Sequence, residues 1–410
     1  IISLIISTME SYVYLDNCAT TNMPRDVLKE MIRWCNQGNP SASYPSAVAA
    51  STMMENFRKY LTSCYGLTHK IIFNSGASES NSTAIQCICA AYSATGRIPH
   101  VVVSAVEHKS ILSTIENLGC RGDITYTLVA PTPSGHITVA AVAAAMTSDT
   151  ALVCVMSANN ETGAINDVNA ICRLSNNAGA VFHCDMVQTA GKFPLCEFDS
   201  ASISFHKLHG APGVGALIIK QELLSGWKIC PLIFGSQNSG YRGGTENLPG
   251  IGAAFAATKY TMSNRSKKNT AQLALKKYIL DKISETFTTL KYTDYVAIQP
   301  PKSIHIVVFG DCSRWYLPGV ILFSLVAPDV CNAKMKAALL RRNIIVSIGS
   351  ACNTKSKSSS HVLTALGVGD LKKGTLRVSL GDESTLDDAN KFIAGFVDMV
   401  NKKEHINVHQ

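Results

Sequence analysis

Lys207 sits where a short apolar run, 201–205, gives way to a loop containing Gly210, Pro212, Gly213 and Gly215. An amine at the end of a buried strand is partly desolvated, and desolvation disfavours its ammonium form. A neutral lysine amine is the nucleophile that forms a Schiff base with an aldehyde. Taken alone, Lys207 reads more readily as a surface residue at a strand-to-loop junction. Three further strand ends carry complementary groups. Asp185 closes the apolar run 180–184, His108 follows the β-branched run 101–106, and 71–80 passes from strand through Ser75-Gly-Ala-Ser78 into a helix. An acid suits the protonated ring nitrogen of pyridoxal phosphate (PLP), where it strengthens the ring as an electron sink. Small residues at a helix start let backbone N–H groups approach an anion. Each has a plainer alternative: Asp185 a helix N-cap, His108 a satisfied core histidine, Ser78 an ordinary cap. In an open α/β sheet, however, successive strand ends converge on one crevice.

The elements that would hold these groups alternate as a doubly wound sheet requires. Helices are expected at 24–37, 46–65 and 79–94, the first with Pro24 at its start and Gly38 just past its end. Strands are expected at 71–73, 101–106, 124–130, 151–157, 180–184, 201–205 and 215–219. From about 262 the pattern changes to a long helix (267–287), a strand near 304–309, a helix near 329–342, a strand near 344–347 and a helix near 384–401. That predicts a second, smaller α+β domain.

Colinear motifs running from about residue 12 to about 395 resemble those of the NifS-like cysteine desulfurases, within the class V aminotransferase family. They are Leu15-Asp-Asn-Cys-Ala-Thr-Thr21, Gly38-Asn-Pro-Ser41, Ser75-Gly-Ala-Ser-Glu-Ser-Asn81, Glu107-His-Lys109, Asn159-Asn-Glu-Thr-Gly163 and His183-Cys-Asp-Met-Val-Gln188. His206-Lys207, Arg242-Gly-Gly-Thr-Glu-Asn247, Gly349-Ser-Ala-Cys352 and Leu376-Arg-Val-Ser-Leu-Gly381 complete the series. So many motifs in order are far more specific than any one pattern.

The resemblance implies the PLP-dependent transferase fold of type I. The large PLP-binding domain would span 20–261, and 9–19 with 262–410 would form the small domain carrying the catalytic cysteine. It implies the activity of a cysteine desulfurase, taking sulfur from L-cysteine to leave L-alanine and a persulfide on Cys352 for transfer, as in iron–sulfur cluster assembly. Lys207 would carry the cofactor and shuttle the Cα proton. Asp185 would pair with the ring nitrogen, Gln188 contact the ring oxygen, and His108 stack on the ring and assist proton transfer. Ala77, Ser78, Ser204 and His206 match the phosphate cradle, with Thr245 completing it from the second subunit of a homodimer. Asn160 belongs with both cofactor and substrate contacts. Asn39 and Arg377 match the groups that hold the substrate carboxylate, a task the planar guanidinium suits; read without the resemblance, Arg377 is a surface strand residue. Cys352 lies in a small, polar stretch, 347–361, expected to be a mobile loop, with Lys355 and Lys357 favouring its thiolate. The alternatives are a selenocysteine lyase or another PLP enzyme of the family, and a non-catalytic binding protein on the PLP fold.

Some positions depart from the pattern. Gly-Ala-Pro-Gly at 210–213, with Ala211 and Pro212, replaces Gly-Pro-Lys-Gly; Phe205 stands for a small residue, Tyr44 for a histidine and Cys18 for a small residue. They bear on cofactor affinity and turnover rather than on the chemistry. The stretch after Arg377 is short for docking a scaffold partner.

Composition agrees with a globular enzyme: 410 residues, 46% hydrophobic and 16% charged. Fourteen cysteines without zinc-ligand spacing point to a reducing, cytoplasmic setting and to no metal site. The net charge of +8 is spread over Arg265-Ser-Lys-Lys268, Lys276-Lys277, Lys372-Lys373 and Lys402-Lys403 without interleaved aromatics, which reads as solvated surface rather than a nucleic-acid site. No apolar run approaches membrane-spanning length. Met9 is the expected natural start, with residues 1–8 an upstream extension.

Overall fold

The computed structural model describes residues 12–65, 69–194, 196–226, 231–263, 265–298, 303–349 and 360–406. Met9 and Cys352 therefore lie outside the described residues. The strands are β1 (Val13–Tyr14), β2 (His69–Asn74), β3 (His100–Ser104), β4 (Thr125–Val129), β5 (Thr150–Cys154), β6 (Val181–Asp185), β7 (Ser200–Ser204), β8 (Gly215–Lys220), β9 (Thr288–Lys291), β10 (His305–Phe309), β11 (Val320–Val326), β12 (Ile344–Ile345) and β13 (Thr375–Ser379).

Among the described residues, seven strands form one sheet in the order β2-β8-β7-β6-β5-β3-β4. Neighbours from β7 to β4 run parallel, and β8 alone is antiparallel to both its partners. The C-terminal ends of β2, β3, β5, β6 and β7 consequently share one edge, where open α/β sheets place their sites. Strands β3, β5, β6 and β7 are buried along their whole length, and in β3 and β5 this goes with continuous apolar runs rather than alternation. The apolar core on one face includes Phe57, Phe73, Phe182 and Phe205, with Phe57 and Phe205 ring centroids 5.4 Å apart. The bulk of Phe205 is thus taken up by core packing. The opposite face is packed by Ile85, Ile88, Ile111 and Ile115 from the helices Ala77–Ser93 and Lys109–Cys120.

A four-stranded sheet, β13-β11-β10-β9, packs its own core, including Phe323, Phe392 and Phe396, with the helices Arg265–Thr286 and Leu386–Asn401. β1 pairs in parallel with β12, so the first described residues join the last third of the chain. The expected strand at 344–347 shortens to two residues, because Ser347 instead bridges the backbone of Arg377. The helix expected at 79–94 begins two residues earlier, at Ala77. This shift places Ala77 and Ser78 in its first turn.

Gly76 (φ +152°) lies at the tip of the turn from β2 into that helix, in a region that favours glycine. Gly215 lies directly beneath it: a Cβ there would stand 2.5 Å from the Gly76 Cα. Two glycines back to back let the turn settle onto the sheet edge.

Candidate active site

Ala77, Ser78, His108, Asn160, Asp185, Gln188, Ser204, His206, Lys207 and Arg377 line one cavity of about 380 Å³ at that edge. The sequence therefore brings together residues from five strand ends of the large sheet, β2, β3, β5, β6 and β7, and one strand of the small one.

Lys207 follows β7 in a single 3-10 turn. Its Nζ donates to the Cys18 carbonyl at 2.6 Å and to the Ala19 carbonyl. Burial pushes the amine down to about 8, and the nearby Arg377 and Lys192 charges act in the same direction. A lysine held partly neutral near neutral pH fits attack on an aldehyde. His206 bonds Thr20 Oγ1 through Nδ1 at 3.0 Å, and burial lowers it to about 4, so it stays neutral.

Asp185 is not a helix N-cap. Its Oδ1 accepts the Val187 N–H at 3.0 Å in a turn, and Oδ2 accepts Asn81 Nδ2 at 3.0 Å. His108 caps the helix Lys109–Cys120, its Nδ1 accepting the Ser110 N–H at 3.1 Å. Because Nδ1 accepts, the proton of the neutral ring belongs on Nε2. Burial lowers its pKa, opposed by Asp185 and assisted by Lys207. Gln188 Nε2 donates to the Cys18 carbonyl at 3.3 Å, while its Oε1 is buried without a partner among the described residues.

Arg377 is not a surface residue. It is 1% exposed on β13, with Nη2 on Asp16 Oδ1 at 2.6 Å and Nη1 on the Asn160 carbonyl at 2.8 Å. Its Nε is a buried donor without a partner among the described residues. A pocket with a guanidinium at one wall and a spare donor on it suits a carboxylate ligand. Removing one member of a buried pair leaves the other uncompensated, at a cost of about 3 kcal/mol or more. Arg377→Met should therefore lower the thermal denaturation midpoint as well as weaken carboxylate binding; an unchanged midpoint would count against the Asp16 pair as a structural clasp.

Two expected residues stand outside this cavity. Asn39 is exposed in a turn, its N–H donating to the Tyr44 hydroxyl at 2.9 Å and its Oδ1 accepting from Ser41 N. Tyr44 thus holds the turn in which Asn39 sits. Thr245 is exposed and does not line the cavity of its own chain. Neighbouring Arg242 is anchored to Glu79 by Nε–Oε1 and Nη2–Oε2 contacts of 2.9 and 3.2 Å.

Sequence reasoning did not single out the partners that hold these groups. Asp16 pairs with Arg377, and Asn81 bonds Asp185. Glu107 and Glu161 are buried acids beside the site, each pushed up chiefly by burial. Glu161 Oε2 accepts the Ser360 hydroxyl at 2.6 Å, and the Glu107 carbonyl meets His361 Nε2 at 2.8 Å. All four acidic and amide residues stand within the quoted motifs, but their roles rest on contacts between distant segments. Among the described residues no helix is long and apolar enough to cross a membrane.

The residues fit PLP as a cofactor. The acid, the partly neutral lysine and the first turn of helix Ala77–Ser93 are the groups a pyridine ring, an aldehyde and a phosphate require, and Gln188 lines the same cavity.

Comparison with known proteins agrees with this chemistry. The chain is 31% identical over 403 residues to a cysteine desulfurase IscS of Anaeromyxobacter dehalogenans (strain 2CP-C), covering 96% of this chain and 94% of that protein. A solved NifS-like protein superposes with a TM-score of 0.83 at 27% identity, covering 96% of this chain and all of that one. SspA solved in complex with cysteine gives a TM-score of 0.73 at 27% identity, over 92% of this chain and 100% of that chain. Residues 13–392 match the family described as Aminotransferase class-V, and to that family the chain belongs.

Proposed function

We propose that the protein is a PLP-dependent cysteine desulfurase. The observation that carries this reading is the gathering of Lys207, Asp185, His108 and Arg377 around one cavity. Ala77, Ser78, Ser204 and His206 hold the phosphate, Asp185 the ring nitrogen and Gln188 the ring oxygen. When bound, PLP supplies an aldehyde to Lys207 and an electron sink for negative charge at the substrate Cα. Arg377 orients the carboxylate of L-cysteine, with Asn160 beside it. Lys207, whose ammonium is disfavoured by burial, takes and returns the Cα proton. His108 carries its mobile proton on Nε2 for further transfers. Cys352 thiolate attacks the substrate sulfur: an S–S bond forms as the C–S bond breaks, and the electron pair stays with carbon. Protonation of that carbon leads to alanine, and Cys352 keeps the sulfur as a persulfide.

The conversion is tested by incubating PLP-loaded protein with L-cysteine and a thiol reductant, which frees the persulfide sulfur as sulfide, and measuring alanine and sulfide. Alanine release dependent on Cys352 supports the desulfurase. Turnover of selenocysteine without turnover of cysteine would replace it with a lyase.

A second copy of this chain completes the site, with Thr245 joining the phosphate contacts. Its exposure on the single chain supports this, as does the tether of Arg242 to the cavity-lining Glu79. The active species is therefore expected to sediment as a dimer; a fully active monomer would refute the shared site. The seven-stranded sheet supports a large domain at 20–261, and the β1–β12 pairing supports assigning 9–19 with 262–410 to the small one. The described cysteines are free thiols, which supports a reducing, cytoplasmic setting for a sulfur carrier that hands its persulfide to an acceptor protein.

A further inference from the structure

Asn81 is fully buried in the helix Ala77–Ser93 and does not line the cavity, yet its carboxamide meets three elements of the site. Nδ2 donates to Asp185 Oδ2 at 3.0 Å and to Ser110 Oγ at 2.9 Å. Oδ1 faces His183 Nε2 at 2.9 Å. A carboxylate oxygen only accepts, so the amide orientation is set by Asp185. Oδ1 then requires a proton on His183 Nε2, which leaves His183 Nδ1 to accept from Ser200 Oγ at 2.7 Å. Burial holds His183 at about 3, so it is neutral and keeps one tautomer. On the other arm, Ser110 Oγ accepts from Asn81 and lies 2.8 Å from His108 Nδ1, the nitrogen that also accepts the Ser110 N–H. The serine hydroxyl thus lies between the Asn81 amide, from which it accepts, and the His108 ring.

We propose that Asn81 is a positioning residue that, through one carboxamide, both aims the Asp185 carboxylate and holds the Ser110 hydroxyl against His108 Nδ1. This inference rests on reading the cavity as a PLP site. The chain Ser200–His183–Asn81 is directional: each member donates to the next, and the last donation falls on the carboxylate. A bond from a neutral donor to a buried carboxylate stabilises the charged form, and its loss is worth about tenfold or more in any equilibrium that needs that charge. Through Ser110 Oγ, the same amide supports a second contact on the His108 Nδ1 that the Ser110 N–H already engages, and so steadies the ring whose Nε2 exchanges protons.

The experiment measures PLP dissociation from wild-type protein, Asn81→Ala, Asp185→Asn and the double variant, with circular dichroism checking the fold. Asn81→Ala should weaken PLP about tenfold or more. Because Asn81 acts through Asp185, the double variant should bind no more weakly than Asp185→Asn alone. Additive losses, or wild-type affinity in Asn81→Ala, overturn the inference. Ser110→Ala, which removes one partly buried hydroxyl, probes the other arm should Asn81→Ala fail to fold. It should leave PLP affinity unchanged while lowering kcat about tenfold or more with little change in KM; a wild-type kcat overturns the coupling to His108. Wild-type protein that takes up no PLP overturns the reading of the cavity itself, a result distinct from altered variants of a PLP-binding parent.

Discussion

Replacing Lys207 with alanine should abolish L-cysteine turnover and leave no borohydride-reducible link to PLP. Lys207 is the amine lining the cavity whose pKa burial brings down to about 8, and both carbonyls beside it, from Cys18 and Ala19, come from one short segment. Its neutral form grows as pH rises through about 8 rather than through the ordinary lysine range. Cofactor attachment to apoprotein should therefore accelerate up to about pH 8 and level off above it. The sign for stability follows from the same shift. Between the folded value and the higher unfolded one, the unfolded chain binds more protons, so raising the pH through that window favours the folded apoprotein. Peptide mapping after reduction would show the pyridoxyl group on Lys207. Finding it on another lysine, or attachment that accelerates only near pH 10, would displace Lys207 from its role.

The second large effect belongs to Cys352. Cys352→Ser should retain PLP and bind L-cysteine while losing sulfide release. The competing thiols are poorly placed. Cys154 and Cys184 are fully buried strand residues whose thiols burial holds well above the ordinary range, so neither offers a thiolate. Cys18 lines the cavity, but its backbone is pinned, with its N–H on Ser379 Oγ at 3.0 Å and its carbonyl on Lys207. Mass spectrometry of wild-type protein after L-cysteine should show one additional sulfur, mapped to Cys352. Normal turnover in Cys352→Ser, or sulfur mapped to Cys18, would favour direct release by a lyase.

The middle of the large sheet was legible because strands such as β3 and β5 are buried on both faces, so continuous apolar runs separated by helices announce them. Lys207, Asp185 and His108 were legible for a related reason: chemistry at the end of such a run has one edge to occupy. The second sheet was read less well. β11 was not anticipated, although Val320-Ile-Leu-Phe-Ser-Leu-Val326 is as apolar as any strand in the chain. Without a regular helix on each side, β11 lacks the alternation that marked the others. Arg377 reads as a surface charge because its partners, Asp16 and Asn160, lie 361 and 217 residues away. The Asn81 contacts were equally hidden, since a buried carboxamide is indistinguishable in sequence from a helix-surface one until its acceptors are known.

The partnership between β1 and the end of the chain has a consequence for how the protein is made. A ribosome has delivered all seven strands of the large sheet once Lys220 is complete. The segment that receives Lys207 Nζ waits much longer: Asn17 and Cys18 are fastened by N–H donations to Ser379, and Asp16 by Arg377. A nascent chain can therefore build the scaffold long before it can close the pocket. Contacts separated by so much sequence close slowly, since loop-closure entropy must be met first. Chains arrested short of β13 should present a folded sheet bearing an unclasped lysine, and uptake of the reactive aldehyde in its productive geometry is deferred until Ser379 has been made.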